Sequence, residues 1–144
     1  MAEPHRLFEN GTSTQKWLPA LESLTRAAGE VVMRIYATDF AVQGKADASP
    51  VTLADQQAEA VILAGLRALT PDIPIVAEEA AAAGDVPALA AGGRFWLVDP
   101  LDGTREFVAR NGEFTVNIAL IDGGRPVLGV VLAPAVAVPG GAPG

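Results

Sequence analysis

From Trp17 the apolar residues Leu18, Leu21, Leu24, Ala28, Val31, Val32 and Ile35 recur at three- and four-residue steps, the stripe of an amphipathic helix. The period breaks between Thr38 and Ser49, where Asp39, Gly44, Lys45 and Asp47 read as a loop or a loosely paired hairpin closed by Pro50. Helical spacing resumes through Ala58, Val61, Ile62, Gly65, Leu66 and Leu69. Thr52 and Asp55 have the T-x-x-D spacing of a capping box, so the pattern predicts a second helix over about 52–69, ended by Thr70-Pro71.

Then the period changes to that of strands. Ile73 to Ala77 reads as a short strand that runs into Glu78-Glu79, and the alanine- and glycine-rich 80–93 as a surface loop. Phe95 to Val98 is a buried strand by composition, expected to stop at Asp99 because Pro100 cannot donate to a ladder. Phe114 to Ile121 and Val127 to Leu132 flank Asp122-Gly123-Gly124-Arg125, which predicts a hairpin.

The two ends lack such patterns. Residues 1–14 mix charged and polar positions and read as a flexible leader without the apolar core of a signal peptide. Residues 135–144 read as a truncated Pro/Gly-rich tail on an organised part spanning 15–134. The chain is therefore expected to be the N-terminal piece of something longer, or a gene product whose tail has been lost.

Composition narrows the function. The chain has 144 residues, half of them hydrophobic, which suits one domain with a sizeable core. Seventeen acidic residues against ten basic ones, net −7, argue against a nucleic-acid polymer as partner. The absence of cysteine excludes disulfides and thiolate chemistry and is compatible with a cytoplasmic setting. No apolar run approaches the roughly 20 residues of a membrane span.

The chemistry concentrates in Trp96-Leu97-Val98-Asp99-Pro100-Leu101-Asp102-Gly103-Thr104, where a strand runs into a turn that carries two carboxylates. Gly103 permits a left-handed backbone, and the amides of Gly103 and Thr104 can face an anion. If the strands ending at Glu78 and Asp99 are neighbours, three carboxylates about 4 Å apart repel by roughly 4 kcal/mol per pair at an effective dielectric near 20. That cluster calls for a cation, and hard oxygen donors, with the Leu101 carbonyl among them, suit Mg²⁺. Thr104 can orient a nucleophilic water, with Asp55 as the partner carboxylate. Each residue also has a plainer reading: Asp-Pro and Asp-Gly as turn dipeptides, Glu78-Glu79 and Lys45 as solvated charges, Asp55 and Thr104 as caps. Arg105 and Arg110 flank the turn as phosphate contacts or surface charges. His5 lies in the leader, outside the chemistry, and Trp17, Phe95, Trp96, Phe107 and Phe114 are expected in the core.

Pro74-Ile75-Val76-Ala77-Glu78-Glu79 and Asp99-Pro100-Leu101-Asp102-Gly103-Thr104 resemble the two N-terminal signatures of the inositol monophosphatase superfamily. Arg105-Glu106-Phe107 and the run Asn111 to Ile121, with Ser49 to Asp55 and Gly65 to Pro71, are similar to its 3'(2'),5'-bisphosphate nucleotidase branch, over about residues 17–134. The resemblance implies the layered α/β/α/β/α sugar-phosphatase fold, of which this chain would hold the N-terminal α+β half. It implies two or three Mg²⁺ ions, inhibition by Li⁺ or Ca²⁺, and hydrolysis of adenosine 3',5'-bisphosphate to AMP and phosphate. By the same resemblance Glu78, Asp99 and the Leu101 carbonyl hold the first metal, and Asp99 and Asp102 the second. Glu78, Leu101, Asp102, Gly103 and Thr104 surround the scissile phosphate, Asp55 and Thr104 activate the water, and Lys45 neutralises charge nearby. It places the protein in the cytoplasm, including the inner face of the cell membrane. Inositol or fructose phosphates are the alternative substrates. Family members run to about twice this length and carry a further aspartate beyond it. This chain alone is therefore expected to have little or no activity; a non-catalytic fragment with metal and phosphate affinity is the rival, and self-association through an uncovered sheet face stays open.

Overall fold

The computed structural model of the chain describes residues 3–9, 12–38, 50–77 and 93–136. Its centre is the predicted hairpin, β4 (Thr115–Asp122) and β5 (Arg125–Leu132), joined by the two-residue turn Gly123-Gly124. β3 (Phe95–Asp102) pairs antiparallel with β4, and β2 (Ile75–Ala77) adds to β3 in parallel, with Ala77 beside Val98. The far edge is β1 (His5–Glu9), antiparallel to β5, so the sheet order is β1-β5-β4-β3-β2.

β1 corrects the expectation of a flexible leader over residues 1–14. Pairing with β5 satisfies main-chain groups whatever the side chains are, so a polar segment can still form an edge strand. Arg6 lies opposite Val130, on the helix-covered face, and its guanidinium pairs with Glu22 at 3.0 Å. Thr14, in the short helix α1 (Thr12–Gln15), is buried at 3% exposure.

The predicted helices are α2 (Leu18–Tyr36) and α3 (Pro50–Leu69), which pack on one another and on one face of the sheet. α3 begins two residues earlier than the T-x-x-D spacing suggests, because Pro50 takes the first helical position, where its missing N–H costs nothing. Gly65 lets the two helices meet: a Cβ there would lie 2.1 Å from Leu24 Cδ2. Alternation in the strands sends Trp96 and Val98, Val116, Ile118 and Leu120, and Leu128, Val130 and Leu132 under the helices, all buried at 3% exposure or less. Each such side chain stabilises the fold by about 1.5–3 kcal/mol. Trp96 Nε1 also donates to Thr70 Oγ1 at 2.8 Å, and that hydroxyl donates to the Leu66 carbonyl at 3.1 Å, closing the end of α3.

The other face carries no described layer, and Leu97, on it, is 45% exposed. Among the described residues no helix is long and apolar enough to cross a membrane.

Candidate metal and phosphate site

The expectation that β3 stops at Asp99 is wrong in an informative way. The strand continues through Pro100 and Leu101 to Asp102, and the pairing with β4 steps from Asp99–Asn117 to Asp102–Thr115. Three steps along β3 are thus matched by two along β4, which is a β-bulge. Strict alternation would put residues 99 and 102 on opposite faces of the sheet. With one residue of the bulge outside the alternation, Pro100 and Leu101 are both buried and the two aspartates share the face away from the helices. Pro100 is tolerated because a bulge makes no demand on its missing N–H. The Asp99 carboxylate folds back onto the turn, accepting from the Leu101 N–H at 3.3 Å.

Gly103 then takes φ +96°, a left-handed conformation in which a Cβ would lie 3.3 Å from both the Glu113 carbonyl oxygen and Phe114 Cα. It starts a helix that the hydrophobic pattern did not reveal, α4 (Thr104–Ala109), whose first turn closes through Phe107 N–H donating to the Gly103 carbonyl at 3.0 Å. Phe107 anchors α4 in an aromatic group with Tyr36 and Phe114, with ring centroids 4.8–5.3 Å apart. Phe107, Phe114 and Trp96 are core residues as expected, whereas Trp17 is half-buried and meets Trp96 edge to face at 5.9 Å.

The remaining candidates fall into three groups. Thr104 and Asp102 are exposed at the turn. Asp55 is buried, 5% exposed, near the start of α3, the helix that packs on β3 and touches α4; Glu59, which the sequence reading passed over, is buried one helical turn further on. Glu78 and Lys45 lie outside the described residues, as do residues 80–92 of the predicted loop 80–93 and residues 39–49. Among the described residues no three acidic or histidine side chains gather as a metal cluster. The two flanking arginines differ: Arg105 is exposed, while Arg110 caps α2, donating to the Tyr36 carbonyl at 3.0 Å and to that of Thr38. Its guanidinium also sits 5.7 Å from the Tyr36 ring centre. His5 stands on the opposite edge of the sheet.

The donor set fits a hard divalent cation. Asp99, Asp102 and the main-chain carbonyl of the bulge offer oxygen alone, and neither thiolate nor imidazole is at hand.

Comparison with known proteins gives a consistent result. The profile of the inositol monophosphatase family matches residues 13–139. The chain is 58% identical over 113 residues to a protein of Escherichia coli O157:H7 named 3'(2'),5'-bisphosphate nucleotidase CysQ, a match that covers 77% of this chain and 45% of that one. CysQ from Bacteroides thetaiotaomicron, a solved member of that family, superposes with a TM-score of 0.69 at 36% identity, covering 86% of this chain and 44% of that one. An inositol monophosphatase from Zymomonas mobilis gives 0.70 at 32% identity, covering 86% and 46%. The chain thus spans about half the length of the curated relatives it matches.

Proposed function

Since the chain belongs to the inositol monophosphatase family, we propose that it carries the metal- and phosphate-binding half of a Mg²⁺-dependent phosphomonoesterase acting on adenosine 3',5'-bisphosphate. The observation that carries this reading is the bulge that turns Asp99 and Asp102 to one face, directly before the left-handed Gly103 and Thr104. The name of the Escherichia coli relative supports the nucleotide substrate.

In this reading Asp99, Asp102 and the Leu101 carbonyl, with Glu78 following Ala77 in the chain, hold two magnesium ions. Such ions, when bound, supply positive charge for the phosphoryl oxygens and lower the pKa of water. The Gly103 and Thr104 amides hold the scissile phosphate. The Thr104 hydroxyl orients the attacking water and the Asp55 carboxylate accepts its proton. Water oxygen bonds to phosphorus as the bond to the 3'-oxygen breaks; that oxygen takes a proton from solvent water and Asp55 returns its proton to solvent, giving AMP and inorganic phosphate.

The test is phosphate release from adenosine 3',5'-bisphosphate by the purified chain, with and without Mg²⁺. Release is expected to be weak from a chain that spans about half the length of its relatives, to require Mg²⁺ and to be lost in Asp99→Asn, because that aspartate's share of the charge stabilisation is worth several kcal/mol. If the wild-type chain binds Mg²⁺ but releases no phosphate, the rival reading of a non-catalytic binding fragment replaces this one.

A further inference from the structure

The acids at the two ends of the β3–β4 ladder are treated differently by their surroundings. Asp122, at the hairpin end, is neutralised by Arg94 at 2.9 Å. Asp99 and Asp102 face neutral cross-strand partners, Asn117 and Thr115. Because Val116 and Ile118 point under the helices, Thr115 and Asn117 stand on the same face as the aspartates. They are joined to one another: Asn117 Nδ2 donates to Thr115 Oγ1 at 2.9 Å.

A hydroxyl that accepts one hydrogen bond still has its own proton to give. The side chain directly across from Thr115 is Asp102, and cross-strand partners stand with their Cβ atoms about 5 Å apart. A lysine or arginine in either place would pair with the carboxylate and compete with a cation. A hydroxyl instead can donate to one carboxylate oxygen and leave the charge for a ligand. We propose that Thr115 and Asn117 are positioning residues of the metal site: Asn117 holds Thr115, and the Thr115 hydroxyl orients the Asp102 carboxylate toward a divalent cation. This inference rests on the metal-binding reading given above.

The test is calorimetric titration of the whole chain with Mn²⁺, which oxygen sites bind like Mg²⁺, together with the thermal unfolding midpoint measured without metal. Thr115→Val keeps shape and β-branching but loses the hydroxyl, and roughly tenfold weaker Mn²⁺ binding is expected, the lower end of what outer-shell substitutions cost. Thr115→Ser should restore binding, and Asn117→Ala should weaken it less than Thr115→Val does. The metal-free midpoint should not change in any of the three, which separates orientation of a ligand from support of the fold. Wild-type-like Mn²⁺ binding by Thr115→Val, in a chain whose binding Asp99→Asn abolishes, overturns this inference and leaves the metal reading intact. No Mn²⁺ binding by the wild type overturns both.

Discussion

The two faces of the sheet divide the work of the molecule. Under α2 and α3, Trp96, Val98, Ile118, Leu120, Leu128 and Val130 are almost completely buried. On the other face, Leu97 is nearly half exposed and the far end of the same strands holds Asp99, Asp102, Thr115 and Asn117. Neighbouring residues of β3 therefore answer to different physics: every second one is held by packing, and those between are free to carry charge. Substitutions on the helix side should change stability, while those at the aspartates should change ligand binding and leave stability in place.

The sharpest way to break that division is Trp96→Ala. It empties a fully buried site and leaves the Thr70 hydroxyl without its indole donor, so a loss of about 3–5 kcal/mol is expected in denaturant unfolding followed by circular dichroism. Asp99→Asn, three residues further along the strand, should unfold within about 0.5 kcal/mol of wild type in the same measurement. A comparable loss there would mean that the two faces are not independent.

Within the helix side, Gly65→Ala tests how tightly the two helices meet. The new methyl would overlap the head of Leu24, a clash worth about 1–3 kcal/mol, partly offset by the better helix propensity of alanine, about 1 kcal/mol. A net loss of roughly 1 kcal/mol is expected, and it should largely vanish when Gly65→Ala is made in a Leu24→Ala background.

The smallest effect lies at the rim, where Arg6 of β1 meets Glu22 of α2. The Arg6 hydrogen bond holds the Glu22 carboxyl below the usual carboxylate range. A lowered carboxyl contributes stability above its unfolded pKa and loses it as pH falls through the lower folded value. Glu22→Gln should thus cost no more than about 1 kcal/mol at neutral pH, since the pair is partly exposed. The difference from wild type should disappear in acid, which unfolding curves at pH 7 and below pH 4 would show.

How much of this was legible beforehand follows from the range of the forces involved. The stripe from Leu18 to Ile35, the Pro71 stop and the Gly123-Gly124 turn are local signals, and each produced the expected element. The motif from Asp99 to Thr104 holds the residues of the proposed site, and its Gly103 took the left-handed backbone it permits. Periodicity could not show that His5–Glu9 joins the sheet, because its warrant is a row of main-chain partners on β5, more than a hundred residues away. Nor could it show α4, six residues long and held by Phe107 against Tyr36 and Phe114. Above all, the period of a strand assigns Asp99 and Asp102 to opposite faces. Only pairing with β4, which absorbs one extra residue at Pro100-Leu101, turns both carboxylates the same way and sets Thr115 and Asn117 beside them. Residue types and short-range spacing suffice to say which chemical groups are present and which local elements form. Which of those groups meet depends on strand pairing, because a bulge is a property of two strands and cannot be written in either one alone.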